Sequence, residues 1–219
     1  ILMNPSGFVV GPNAQFSQVG NLTLFAGNAV GFDGGARVDL ETAADALPET
    51  KPTGFITDTR GDVQVIGATL GQTSSANAGD GLSIIGGDVS FRSGGAALIG
   101  NGGDVRIDAA SLNLSGGSVI GTVSPVGEAG GDVRVDAGTV TLEDGNIRTV
   151  AAGGDGGEVL IGGGSFHANG GSVQSISYPN EAGNGRAGAV TIAVEESISG
   201  VMDSFVDVAS YGDGGLSPV

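Results

Sequence analysis

The chain has 219 residues, 44 of them glycine, with 24 acidic residues against 8 Lys and Arg for a formal charge of −16, one His, no Cys and no Trp. That balance repels nucleic-acid phosphates and anionic lipid, so neither is an expected partner, and the lack of Cys excludes a disulfide framework and thiol chemistry. A 39% apolar fraction is too high for disorder, glycine at this density disfavours helix by about 1 kcal/mol per residue relative to alanine, and no run approaches the ~20 apolar residues of a transmembrane helix.

The opening stretch, ILMNPSGFVVGPNAQFSQVGNLTLFAG (residues 1–27), places an Asn-Pro-Ser-Gly segment between apolar strands. Asn4 can bond its own backbone and Pro5 fixes φ near about −65°, so a tight turn is expected here. The chain opens with neither an initiator Met nor a basic segment ahead of an apolar one, which places any signal peptide upstream. LETAADALPETKPTGF (40–55) is the one stretch of helical composition, and it ends in prolines. It reads as an inserted loop with helix confined to a turn around 41–47, exposed enough to bind something but with no other sign of it. Arg60-Gly61-Asp62 spells an integrin-type tripeptide, yet Gly-Asp-Val recurs at 103–105 and 131–133 without the Arg, so Asp62 reads as part of a repeat.

From there the chain repeats itself. Gly-rich turns followed by an apolar residue start units near Val63, Leu82, Val105, Val133, Val159 and Val190, with an elastic period near 25. Inside a unit the spacing is rigid: Val105, Leu112 and Val119 are seven apart, as are Val133, Val140 and Ile147, and Val159, Phe166 and Val173. Rigid steps with elastic joins place the insertions at one corner. Each step reads as a short strand and a turn, because Val105 and Ile107 alternate with Arg106 and Asp108, and Leu112 and Leu114 flank Asn113. Gly116-Gly117, Gly130-Gly131 and Gly170-Gly171 supply the turns.

Three strands and three turns per unit predict an all-β fold, a right-handed three-sided parallel β-helix whose coils stack at about 4.8 Å. A single coil cannot stand alone, since a handful of buried side chains does not offset a backbone entropy of about 1–2 kcal/mol per residue. Repetition supplies the missing burial. Val133 and Leu142 are expected in the core and Asp136 outside it. The final YGDGGLSPV carries no capping helix, so the expectation is a piece of a longer array whose open edge invites self-association.

Further motifs have plain explanations. GGDGGEVLI (153–161) approximates the calcium nonapeptide with Glu158 in place of Asp, but occurs once where that roll needs tandem copies. His167 follows the inward Phe166 and so points outward. The sequons at Asn21 and Asn113 mean little if the source is bacterial.

The first 27 residues resemble the second half of the two-partner secretion domain of filamentous-haemagglutinin-type exoproteins, where an Asn-Pro-x-Gly turn lies between apolar strands; the matching residues are Asn4, Pro5 and Gly7. GFITDTRGDVQVIGATL and GLSIIGGDVSFRSGGAALIGNGG resemble the segments that follow this motif in such proteins. The family's earlier strands, with its other Asn-rich motif, are absent. The resemblance implies a right-handed parallel β-helix exported through an outer-membrane β-barrel transporter, then displayed or shed as an adhesin or matrix component that meets a surface receptor or glycan. Residues 1–60 are then the remainder of the secretion-like domain, with the inserted loop near 40–55, and 61–219 the repeat region continuous with it.

The recurring acids admit two explanations. Asp62, Asp104, Asp132 and Glu158 precede strands, and stacking would hold their carboxylates about 5 Å apart along one edge. Either each accepts hydrogen bonds from turn amides, or the column is an oxygen-rich calcium site. No other cofactor is expected. A β-helical polysaccharide lyase or glycoside hydrolase is the alternative function, since outward acids abound at Asp104, Asp108, Asp132, Asp136 and Asp144. Arg106 and Arg134 recur at equivalent positions, as ladder residues do, whereas a catalytic set occurs once. The chain is therefore read as non-enzymatic.

Overall fold

The alternation of Val and Ile with Arg, Asp and Thr is realised as strand along most of the chain. The structure is a computed structural model and describes residues 1–12, 14, 16, 20–39, 52–71, 80–179, 185–201 and 203–211. In chain order its strands are β1 (Leu2–Met3), β2 (Phe8–Val10), β3 (Leu22–Phe25), β4 (Gly27–Phe32), β5 (Arg37–Asp39), β6 (Pro52–Arg60), β7 (Val63–Ile66), β8 (Thr69–Leu70), β9 (Leu82–Arg92), β10 (Ala96–Gly100), β11 (Val105–Ser115), β12 (Val119–Val126), β13 (Val133–Glu143), β14 (Asn146–Ala152), β15 (Val159–Asn169), β16 (Ser172–Tyr178), β17 (Val190–Val201) and β18 (Phe205–Ser210). The other regular element among the described residues is a 3-10 turn at Asp33–Gly35.

The fold is a three-sided parallel β-helix. Each of β9, β11, β13, β15 and β17 supplies two legs of a coil. In β11 the buried positions are Val105, Ile107 and Ala109, then Leu112 and Leu114. That change of parity is the corner, and there Ala110 and Gly138 drop out of the ladder between the pairs Ala109–Ala137 and Ser111–Thr139. The third leg is the shorter strand that follows, stacked in the order β18-β16-β14-β12-β10-β8. Val105, Ile107, Leu112, Leu114 and Ile120 lie in register on Val133, Val135, Val140, Leu142 and Ile147, and all ten are buried, at about 1.5–3 kcal/mol each.

Two features of the first coils differ from expectation. Val63 does not start a unit: it pairs with Phe8 on one side and Val89 on the other, which makes β7 a second leg. Its coil begins at Leu22, in register with Leu82 and through it with Val105. The boundary placed at 60/61 therefore falls inside a coil. Between the two legs the chain leaves the solenoid for an antiparallel sheet, β5-β4-β6. Residues 52–55, expected within the inserted loop, already belong to β6 and pair with β4. The helical turn expected around 41–47 lies outside the described residues.

This excursion explains why outward residues near it are apolar. Met3, Phe25 and Ile85 occupy one outward column of the first leg, which continues as Asp108 and Asp136. Phe25, Val30 and Ile85 form a separate core with Met3, Phe32 and Phe55, and the Phe25 and Phe55 rings lie 4.5 Å apart. The column turns acidic where this cover ends.

The third leg also turns hydroxyls inward. Thr122, Thr149 and Ser175 stack in register and are buried. Two donate to backbone carbonyls where the chain enters the next coil, Thr122 Oγ1 to Gly131 O at 2.7 Å and Thr149 Oγ1 to Gly157 O at 2.8 Å, and Ser175 Oγ donates to Gly157 O, at the entry of its own coil, at 2.9 Å. Each buried hydroxyl is thereby satisfied, which removes the cost of burying it.

Candidate functional site

The Asn-Pro-Ser-Gly segment is the corner between β1 and β2. Asn4 accepts the Gly7 N–H on its carbonyl at 3.0 Å and the Ser6 N–H on Oδ1 at 3.1 Å, and its Nδ2 donates to Gly7 O at 2.8 Å. Gly7 adopts φ 93°, a left-handed conformation that favours glycine. The turn is docked on the coil above: Asn4 N–H donates to Phe25 O at 3.0 Å and Phe8 N–H to Asp62 O at 2.8 Å. A Cβ on Gly7 would strike the Asp62 carbonyl, and one on Gly61 would strike Pro5 O and the Gly7 nitrogen. Pro5 and Gly7 thus meet Gly61 and Asp62, a partnership across some 55 residues that sequence reading did not foresee, while Asn4 is held on Phe25.

The four acids singled out as calcium ligands are not one column. Asp104, Asp132 and Glu158 do precede the first leg of successive coils, since the residues that follow them, Val105, Val133 and Val159, are in register. Asp62 precedes the second leg and stacks beside Asp88 instead. The acids take up backbone amides of the next coil: Asp104 Oδ1 accepts Asp132 N–H at 2.8 Å, Asp132 Oδ1 accepts Glu158 N–H at 2.8 Å, and Asp62 Oδ1 accepts Asp88 N–H at 3.0 Å. In the nonapeptide-like stretch, Asp155 Oδ1 accepts Arg186 N–H at 2.9 Å. Among the described residues no three His, Asp or Glu side chains converge as a metal-ligand set.

The Arg60-Gly61-Asp62 tripeptide is committed internally. Arg60 Nη1 bonds Asp108 Oδ1 at 2.7 Å, and Asp62 holds the Asp88 amide. His167 is on the outer face, with Nδ1 2.6 Å from Ser199 Oγ. Arg106 stacks on Arg134 and Asp108 on Asp136, so the outward acids and bases near the first leg are in-register pairs. A polar groove of about 470 Å³ runs over the second leg past Gln64, Asp88, Ser90, Arg92, Asn113 and Glu143. Its amides and carboxylates can bond hydroxyl groups, and within it Ser111 Oγ donates to Asp88 Oδ1 at 2.7 Å.

Sequence reading missed the hydroxyl column of the third leg, although its signal is present: Ile120-Gly121-Thr122, Ile147-Arg148-Thr149 and Val173-Gln174-Ser175 repeat an apolar residue followed two places on by a hydroxyl.

No helix among the described residues is long and apolar enough to cross a membrane. No protein-family model, curated protein or solved structure matches the chain.

Proposed function

We propose that the chain is part of a β-helical exoprotein of the two-partner secretion type, delivered through an outer-membrane β-barrel transporter to the medium or the bacterial surface, where it serves attachment or matrix assembly and has no enzymatic role. The observation that supports this reading is the Asn4–Gly7 corner: an Asn-Pro-x-Gly turn locked by its own side chain and seated on Gly61 and Asp62 at the first coil. A side-chain-locked turn between two strands presents a fixed shape that a transporter can read before the rest of the chain folds. The repeats behind it offer long outer faces for a receptor or glycan.

Export tests it. In the full-length parent, co-expressed with its transporter, Asn4→Ala removes both side-chain bonds of the turn and should lower the secreted fraction while the β-helix still folds. Undiminished secretion of that variant would overturn the proposal.

A further inference from the structure

A cleft of about 430 Å³ opens where the antiparallel excursion meets the outer face of the first leg, within the size range of small-ligand sites. One wall is apolar, formed by the half-buried Phe55 and by Ile85. The other is polar: Ser83, Arg60, Arg106 and Asp108. Asp108 holds Arg60 at 2.7 Å, and a longer bond of 3.4 Å runs from Arg60 Nη1 to Gly86 O. Arg60 is therefore fixed in orientation before any ligand arrives.

Arg106 is the group left over. It is exposed, and no ion pair or hydrogen bond engages its guanidinium among the described residues. Its register neighbour Arg134 is likewise exposed and unpaired. Stacking holds the two backbones about 4.8 Å apart, so the two like charges are register neighbours on this face. In a chain of charge −16, Arg60, Arg106 and Arg134 stand on this face among Asp104, Asp108, Asp132 and Asp136, and Arg106 is the cation of the cleft lining that no described acid engages. An anion next to Arg106 relieves the repulsion.

We propose that this cleft binds a carboxylate-bearing sugar. A planar guanidinium takes a carboxylate in a two-bond fork, the apolar face of a pyranose ring fits against Phe55 and Ile85, and Ser83 and Asp108 are placed to bond ring hydroxyls. A monoanion suits the site better than a sulfated or phosphorylated polyanion, because the surrounding negative charge repels each added charge. The carboxylate can belong to a uronic acid within a chain or to a single terminal sugar acid. The proposal does not depend on the export route, since binding is measured on purified protein.

The test is titration calorimetry of the purified chain with trigalacturonate, its methyl ester, N-acetylneuraminic acid and a heparin hexasaccharide at physiological salt. At least one of the two carboxylate sugars should bind, and which one does separates the in-chain from the terminal source. Esterified trigalacturonate should not bind, and the heparin fragment should bind more weakly. Arg106→Gln should weaken binding about tenfold, the loss expected for one charged hydrogen-bonded contact, and Arg106→Lys should recover only part of it because the fork is lost. Asp136→Asn should leave binding intact or strengthen it. Arg106 is exposed, so its variants should keep the parent melting curve. Failure of both carboxylate sugars to bind, equal binding of acid and ester, or an Arg106→Gln variant that folds and binds as the parent does would each overturn the proposal.

Discussion

The Asp104 carboxylate accepts the backbone N–H of Asp132, the residue that occupies the same corner one coil along, at 2.8 Å. Asp132 repeats the contact to Glu158, also at 2.8 Å, while its own carbonyl accepts Val105 N–H at 2.9 Å. The side chain thus extends the strand ladder one residue beyond the point where backbone pairing begins. Asn21 does the same for Gly81 N–H at 2.7 Å, and Asp62 for Asp88. The acid recurs because it fastens coil to coil.

This bond has a measurable worth. Asp132→Ala deletes the acceptor for the Glu158 amide and should destabilise by about 1 kcal/mol, the net value of a hydrogen bond. Asp132→Asn keeps an acceptor oxygen and should cost less than half of that. Urea unfolding of both variants decides it, and equal losses would show that the charge rather than the acceptor matters.

The same geometry bears on calcium. One oxygen each of Asp104 and Asp132 is already spent on an amide, and Asp62 lies at a different corner. A calcium ion takes about 6–8 oxygen ligands, far more than this edge gathers. Millimolar calcium and sodium chloride of matched ionic strength should therefore shift the melting temperature equally. A larger shift with calcium, diminished by Asp132→Asn, would restore the metal reading.

Inward and outward positions should differ sharply in tolerance. Val133 is fully buried between Val105 and Val159, so Val133→Asp buries an unpaired charge and should cost several kcal/mol, on the order of 3–5. Asp136 is exposed on the same strand, and Asp136→Ser should stay within about 0.5 kcal/mol. Thermal or urea unfolding that returned comparable losses would contradict the burial pattern.

The period-two alternation and glycine pairs were enough to read the solenoid, because a coil's interior demands apolar residues at fixed positions. Which leg a segment forms was harder to read. Gly-Asp-Val opens the first leg at 103–105 and 131–133, yet at 61–63 and 87–89 it opens the second. Both corners need a glycine and an amide acceptor, so the tripeptide marks a corner without saying which. Gly27–Phe32 and Pro52–Arg60 were obscured for a different reason: their pairing is antiparallel and mutual, at a sequence distance set by the segment between them. The Asn4 turn was legible as a turn, whereas its seat on Gly61 and Asp62 depends on the excursion returning the chain to the same corner. The cleft beside Arg106 required both the excursion and the stacking of the first leg, neither of which local pattern reveals.

That seat yields the last prediction. Gly7 and Gly61 face each other with no room for a side chain on either: a Cβ on the first meets the Asp62 carbonyl, and one on the second meets Pro5 O and the Gly7 nitrogen. Gly7→Ala adds backbone strain at φ 93° to the collision, a strain of about 1–2 kcal/mol by itself. Gly34 isolates that part, since its φ is 83° with nothing near its Cβ position, and Gly34→Ala should show the strain alone. Gly7→Ala should therefore cost more than Gly34→Ala, and Gly61→Ala should be destabilising through collision only. Either change lifts the Asn-Pro turn off the coil, so the other has less left to disrupt. The double variant should fall short of the sum of the singles by on the order of 1 kcal/mol, the range of coupling for residues in contact. Strict additivity in denaturant unfolding would mean that the turn and the Gly61 corner do not share a packed surface, and the seat described for the turn would be wrong.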